Sequence, residues 1–400
     1  MAAREGRATR VDGSPAIAVT LAELASLAER AGQAPRVALD LEANGRFAFR
    51  ARVSTLQFAF NDEVALVDPL APGLAGTLEP LRTLLSEAGP VKVIHDVGFD
   101  ARLLAEADLY LGNVHDTALV AQWLGRPSTG LRSLALTELG VTLDKSLQAQ
   151  DWAARPLSEA SLRYLADDVG HLLALDERLW AEAVQANIVE EVLEETTYRL
   201  ASAVKAIREP DPRPPFTKLK GIDKLGAAEL AVLRRVVMAR ESEAERLDTP
   251  AGELTPSAVL VAIARAKPVT REALARVRSP IARQDPENVG QAILQAVRAG
   301  IQDGQLSPED QAWFDQPTLP PAEIKTRRDR EARLSAWRKA EAKTRQVNEQ
   351  VVLPGHCASE LVATCPIDTE GLERIGGLGQ FRVARYGEAI LRALKGEAPP

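Results

Sequence analysis

The sequence predicts an α/β domain with a mixed sheet, followed by two small all-α domains. Three observations carry this expectation. Segments rich in β-branched and aromatic residues alternate with helically periodic ones through the first half. A run with four prolines in nine residues, "REPDPRPPF" (Arg208–Phe216), then closes that half; proline fixes the backbone and removes a donor, so the run reads as a stiff linker. Everything beyond it has helical periodicity and repeats itself.

Taken in order, the first helix is expected over Val19–Gly32, "VTLAELASLAERAG", where Leu21, Leu24 and Leu27 recur at helical spacing. Three strand candidates follow: "RVALDLEA", "RVSTLQFAF" and "EVALVDPL". A helix fits "LEPLRTLLSEAG", stopped by Gly89 and Pro90. "VKVIHDV" reads as a buried strand and "FDARLLAEADL" as the helix after it. From Thr117 to about Asn187 the pattern is helical, broken at "GRPSTG" and "ARPLSE". Consecutive strands followed by strands mixed with helices describe an α/β layer fold.

The second half contains an internal repeat. "AKPVTREALARV" (Ala266–Val277) resembles "TCPIDTEGLERI" (Thr364–Ile375), 98 residues apart; "GQAILQAVRAG" (Gly290–Gly300) resembles "GEAILRALKGE" (Gly387–Glu397), 97 apart. One deletion reconciles the two offsets. Each copy follows a charged amphipathic helix, "LRRVVMARESEAERL" or "LSAWRKAEAKTRQV", and "DGQLSPEDQAWFDQPTLPP" divides them. The expected boundaries are residues 14–205 for the α/β domain, 206–221 for the linker, 222–305 for the first helical domain, 306–325 for a second linker and 326–396 for the second helical domain.

Length and composition bound the function. The 400 residues, 46% of them hydrophobic, suffice for two or three cores. A net charge of −7 excludes a uniformly cationic nucleic-acid coat but not a local basic groove. Only Cys357 and Cys365, with four histidines, leave no disulfide framework and little for a zinc cage. The start, "MAAREGRATRVDG", has no apolar signal core and no run is long enough to span a bilayer, so a cytoplasmic protein is expected.

The acids carry the chemistry. In "VALDLEA", residues two apart share a strand face, so Asp40 and Glu42 stand together while Leu39 and Leu41 face the other way. Two carboxylates held close repel, and a hard divalent cation removes the conflict; two solvated acids on an edge strand is the alternative. In "VIHDVGFD", Asp100 opens a helix, where the dipole favours an acid whether or not it binds metal. In "LRYLADDVGHLL", Tyr164 and Asp168 are four apart and lie one turn above the other, with Leu165, Val169 and Leu172 on the apolar stripe. Alone, that pair reads better as a surface pair than as a site.

Together these motifs are specific. Acid-x-acid on a first strand, Asp after a buried strand, and Tyr-x-x-x-Asp on a late helix resemble the DEDD exonuclease superfamily in its tyrosine branch. "LVDPL", "HDTALVAQWLGRP" and "GVTLDKSLQAQDWAARPLSEASLRYLADDV" are similar to ribonuclease D, and the helical repeats resemble the helicase-and-RNase-D C-terminal (HRDC) domain. The resemblance spans roughly Ala16 to Leu394. It implies an RNase H-like sheet and hydrolysis of RNA from a free 3′ hydroxyl to 5′-monophosphates, with tRNA precursors as the expected substrate and no obligate protein partner. It further implies that Asp40, Glu42, Asp100 and Asp168 bind two divalent cations, Mg²⁺ or Mn²⁺, and that Tyr164 orients the attacking water. Gln57, His95 and Lys145 are candidate substrate contacts, with Arg132 a possible phosphate contact. Two departures bear on substrate grip. Ala43 stands where the family often has an aromatic, and Asp96 where the wider superfamily often has asparagine. A DNA-directed 3′ exonuclease and a non-catalytic nucleic-acid-binding protein are the competing readings.

Overall fold

A computed structural model describes residues 16–74, 76–144, 146–277, 285–315 and 319–397. Within these, one unit comprises residues 16–42, 53–209 and 319–397, and a second comprises 43–52 and 210–315.

In the first unit, β1 (Ala16–Ala18), α1 (Leu21–Gly32), β2 (Arg36–Ala43), β3 (Val53–Phe60), β4 (Glu63–Val67), α2 (Arg82–Leu85), β5 (Val91–Ile94), α3 (Gly98–Glu106) and β6 (Val114–Asp116) build a six-stranded sheet and its first helices. The strand order is β1-β4-β3-β2-β5-β6. β3 and β4 are antiparallel, while β1–β4, β2–β5 and β5–β6 are parallel, so the sheet is mixed as expected. α1 starts at a capping box, two residues after the expected Val19: Thr20 Oγ1 accepts from Glu23 N and Glu23 Oε2 accepts from Thr20 N.

The chain continues through α4 (Thr117–Trp123), α5 (Leu131–Leu139), α6 (Glu159–Gly170), α7 (Leu172–Gln185) and the 20-residue α8 (Val189–Arg208). Val169 and Leu172 pack on Ala38, Ala59 and Val93, so α6 and α7 cover one sheet face. Asp176 of α7, 1% exposed, takes an ion pair from Arg36 at 2.7 Å and a contact from His115 at 3.1 Å, which fastens α7 to the start of β2.

Two expectations are corrected. "LEPLRTLLSEAG" forms only a 3₁₀ turn at Glu79–Leu81 and the four-residue α2, because Ser86 turns extended and its hydroxyl accepts from Ala88 N instead of continuing the helix. The stretch after α5 is not helical as far as Ser158. Asp144 accepts from Ser146 N and Asp151 from Ala153 N, local turns that compete with a helix. The three-residue strands β1 and β6 have no legible sequence pattern.

Both helical domains are built from matching elements. The second unit holds α9 (Ala227–Arg246), α10 (Ala251–Leu254), α11 (Ser257–Ala266), α12 (Arg271–Arg276), α13 (Pro286–Asp303) and α14 (Pro308–Gln311). In the first unit lie α15 (Pro321–Arg345), α16 (Glu349–Val352), α17 (Gly355–Thr364), α18 (Thr369–Glu373) and α19 (Gln380–Lys395). The caps keep the 98-residue spacing: Pro256 and Pro354 precede α11 and α17, left-handed Lys267 and Cys365 end them, and Thr270 and Asp368 cap α12 and α18. Gly300 lets α13 lie against α9, since a Cβ there would stand 2.5 Å from Val232 Cα. In the same unit the segment 43–52 is fixed by Phe49 N donating to Asp248 Oδ1 at 3.1 Å and by the Arg50–Glu245 ion pair at 3.1 Å.

The second helical domain is docked on α8. Arg382 of α19 pairs with Glu195 at 2.9 Å, both side chains 7% exposed, and its guanidinium lies 5.3 Å from the Trp123 ring centroid. Glu194 accepts from Gln380 N at the start of α19, Arg385 pairs with Glu191, and Val351 joins the cluster of Leu119, Trp123 and Val192. Among the described residues no helix is long and apolar enough to cross a membrane.

Candidate active site

Four elements converge on one cleft of about 670 Å³, lined by Asp40 and Glu42 of β2, His95 after β5, Ser128 and Gly130 to Ser133 at the start of α5, and Tyr164 and Asp168 of α6. The pleat of β2 decides the first pair. Ala38, Asp40 and Glu42 share the face that α6 covers, and Leu39 and Leu41 are buried on the other. Ser158 caps α6 by accepting from Ser161 N at 3.1 Å, which sets the phase that turns Tyr164 and Asp168 toward the cleft.

Asp100 sits deeper, 6% exposed, in the first turn of α3. The preceding turn is held by Asp116, fully buried, whose carboxylate accepts from Asp96 N, Val97 N, Ala118 N and Leu119 N at 2.9–3.2 Å. Asp96 has φ +63°, a left-handed conformation that asparagine and aspartate both tolerate, so the departure there leaves the turn intact.

The acids perturb one another. Burial and then the charges of Asp40 and Asp168 push Glu42 up to about 8. Burial, Asp40 and Asp167 push Asp168 up to about 8, against the opposing hydrogen bond from Tyr164. Asp40 rises to about 6, chiefly through burial. Asp100 is raised well above the carboxylate range by burial, with Asp40 and Glu42 among the charges that add to it. A helix N-terminus favours an acid by only about 0.3–1 kcal/mol, so burial wins at Asp100. Burial and then Asp168, Glu42 and Asp40 raise the Tyr164 phenol further above its ordinary value, which keeps it a hydrogen-bond donor.

The remaining predicted residues divide. His95 lines the cleft, but its Nδ1 lies 2.9 Å from Thr117 Oγ1 and its ring bonds the Thr129 backbone, so it also braces the loop before α5; burial lowers its pKa. Gln57 does not line the cleft: it is fully buried in β3, Nε2 donates to Thr55 Oγ1 at 2.6 Å, and the expected substrate contact is corrected accordingly. Lys145 lies outside the described residues. Arg132 is exposed on the cleft wall, beside Ser128, Gly130 and Ser133. Of this wall the sequence marks only Arg132; Ser128, Gly130 and Ser133 lie in or beside "GRPSTG", whose pattern shows a helix break and nothing more.

Comparison with known proteins bears on this cleft. The family described as 3′-5′ exonuclease matches residues 15–183, and the HRDC domain family matches 229–297 and 327–394. Ribonuclease D of Gluconacetobacter diazotrophicus is 31% identical over 316 residues, covering 77% of this chain and 78% of its own length. The chain belongs to the ribonuclease D family. A second ribonuclease D, from Pseudomonas paraeruginosa, is 31% identical over 273 residues and is covered for 70% of its length. The fold is shared with Escherichia coli RNase D, described as an exoribonuclease involved in structured RNA processing, at TM-score 0.68 and 22% identity over 96% of this chain and 100% of that one. A protein from Bifidobacterium adolescentis superposes at TM-score 0.77, 21% identical, over 96% of this chain and 98% of its own. The α/β region of this ribonuclease D family member is thus a 3′–5′ exonuclease domain, followed by two HRDC domains.

Proposed function

We propose that the chain is a metal-dependent exoribonuclease that removes nucleotides from a free 3′ end as 5′-monophosphates, with structured RNA such as tRNA precursors as substrate. One observation carries the reading: Asp40, Glu42 and Asp168 line a single cleft with Tyr164, the buried Asp100 joins them electrostatically, and all four acids are driven toward protonation. Among the described residues none of them has an arginine or lysine partner. Such an all-oxygen donor set fits Mg²⁺ or Mn²⁺. Among the described residues no three acids, histidines or cysteines already form a closed ligand group, so the electrostatics and donor chemistry, not a preformed cage, support the assignment.

Two divalent cations bound there would activate the attacking water and stabilise the leaving oxygen. Asp40, Glu42, Asp100 and Asp168 would hold them. Tyr164, protonated at neutral pH, donates a hydrogen bond and orients the water rather than taking its proton. His95 supports the loop before α5, and Arg132 offers a charge to a phosphate on the open wall.

The test uses single-stranded RNA labelled at its 5′ end, with Mg²⁺, Mn²⁺ or EDTA, beside matched DNA and RNA ending in a 3′ phosphate. The expected result is a metal-dependent ladder shortening from the 3′ end, blocked by the phosphate and weaker on DNA. An equal ladder on DNA would move the substrate to DNA, and binding without cleavage under either metal would make this a binding protein.

A further inference from the structure

The stretch "QDWAARPLSEASLRY" contributes Tyr164 to the cleft, but its Arg155 and Trp152 have no part in the reading above. Arg155 has an unusual set of partners. Nε and Nη2 form a fork on Asp68 with both distances 2.7 Å, Nη2 also donates to Ser54 O at 2.7 Å, and Nη1 donates to Trp152 O at 2.7 Å and Ala154 O at 2.9 Å. Ser54 lies in β3 and Asp68 just past β4, so one guanidinium fastens the irregular segment before α6 to two strands. Trp152, held through its carbonyl, is 1% exposed and packs in one cluster with Leu66, Tyr164 and Leu165. Its ring centroid is 5.6 Å from that of Tyr164 at an interplanar angle of 37°.

We infer that Arg155 is a positioning residue for the exonuclease reaction: through Asp68 and the Trp152 carbonyl it fixes the indole wall against which the Tyr164 ring rests. Only a planar, always-charged fork satisfies a carboxylate and three carbonyls at once, so lysine does not replace it. The phenol of Tyr164 reaches Asp168 and the cleft, and its aim depends on where its ring is held. Misplacement of a reacting group by about 1 Å costs on the order of a hundredfold in rate. The inference rests on the proposed role of Tyr164.

The experiment is a double-mutant cycle on full-length protein, using the 5′-labelled RNA with Mn²⁺. Arg155→Lys is expected to lower kcat by roughly 10–100-fold with KM changed less than about threefold. In the Tyr164→Phe background the same change is expected to cost less than about threefold, because its route of action is already cut. Guanidinium salt should restore part of kcat to Arg155→Ala. Equal losses in both backgrounds, or a fall traced wholly to KM, would overturn the inference. No rate loss in Tyr164→Phe would instead sink the reading of Tyr164. A readout independent of turnover is acrylamide quenching of Trp152, taken as the difference from Trp152→Phe. It should rise in Arg155→Lys, and unchanged quenching would overturn the clamp even in a protein that cleaves nothing. Should Arg155→Lys not fold, Asp68→Asn, which keeps the Trp152 and Ser54 contacts, carries the same cycle with a smaller expected loss.

Discussion

Removing divalent cations should make the exonuclease domain less stable as pH rises. Glu42 and Asp168 each stand at about 8 in the folded chain, against ordinary values of 4.5 and 3.8. The folded state therefore holds these protons more tightly than the unfolded state does. The stabilisation is fully present below about pH 4 and is lost progressively as pH rises through 8. One pKa unit is worth about 1.4 kcal/mol, which sets a ceiling of about 5 kcal/mol for Glu42 alone and about 6 kcal/mol for Asp168 alone. The repulsion is shared among neighbours and the cleft is open to water, so on the order of 3 kcal/mol for the pair is the reasonable figure. For a domain of this size that corresponds to roughly 6–12 °C in melting temperature. The assay is thermal unfolding in EDTA from pH 5 to pH 9, with wild type beside Asp168→Asn, whose amide cannot titrate. Wild type should lose several degrees more than the variant over that range, and Mg²⁺ or Mn²⁺ should restore wild type at the alkaline end. Identical pH slopes for the two proteins would refute the argument that these acids are a stored cost of the empty cleft.

Further outcomes are expected at single positions. Asp40→Ala or Asp168→Ala should abolish hydrolysis without altering the far-UV circular dichroism, and turnover by either purified variant would defeat the ligand assignment. Asp116→Ala strips the acceptor from four backbone N–H groups and should cost about 3 kcal/mol or more in denaturant unfolding, with loss of activity through the displaced Asp100 turn. Arg382→Ala takes from the buried Glu195 one of its two arginine partners and leaves it Arg199 at 3.2 Å, so it should cost about 2–3 kcal/mol, and Arg382→Ala with Arg199→Ala should cost more because the buried charge is then unpaired; chemical denaturation of the two variants separates these cases.

Local pattern was legible where it decides the structure. β2 occupies the eight residues that the sequence marks, because alternation and burial agree there, and its pleat alone brings Asp40 and Glu42 together. The spacing of Tyr164 and Asp168 likewise needed only the helical period. Long-range contacts were not legible. Glu191, Glu194 and Glu195 look like the solvated face of α8, and Arg382 and Arg385 like that of α19; only the fold pairs Glu195 with Arg382 and Glu191 with Arg385 and sets Glu194 on the Gln380 N–H. The basic helix α15 shows the same limit. Leu334 is buried and Trp337 packs into the second helical core beside Tyr386, a partner that the charged amphipathic pattern does not name. Gln57 failed for another reason: alternation placed it on a strand, but both faces of β3 are covered.

The docking of α19 on α8 also sets a schedule for synthesis. Glu195 emerges from the ribosome 187 residues before Arg382. At about 5–20 residues per second the wait is roughly 10–40 s. Through that interval the newly made exonuclease segment presents an acidic ridge and the apolar ground of Leu119, Trp123 and Val192 without Val351 upon it. A premature stop codon after the first helical domain would therefore leave a product that is not merely shorter but permanently uncovered on that ground.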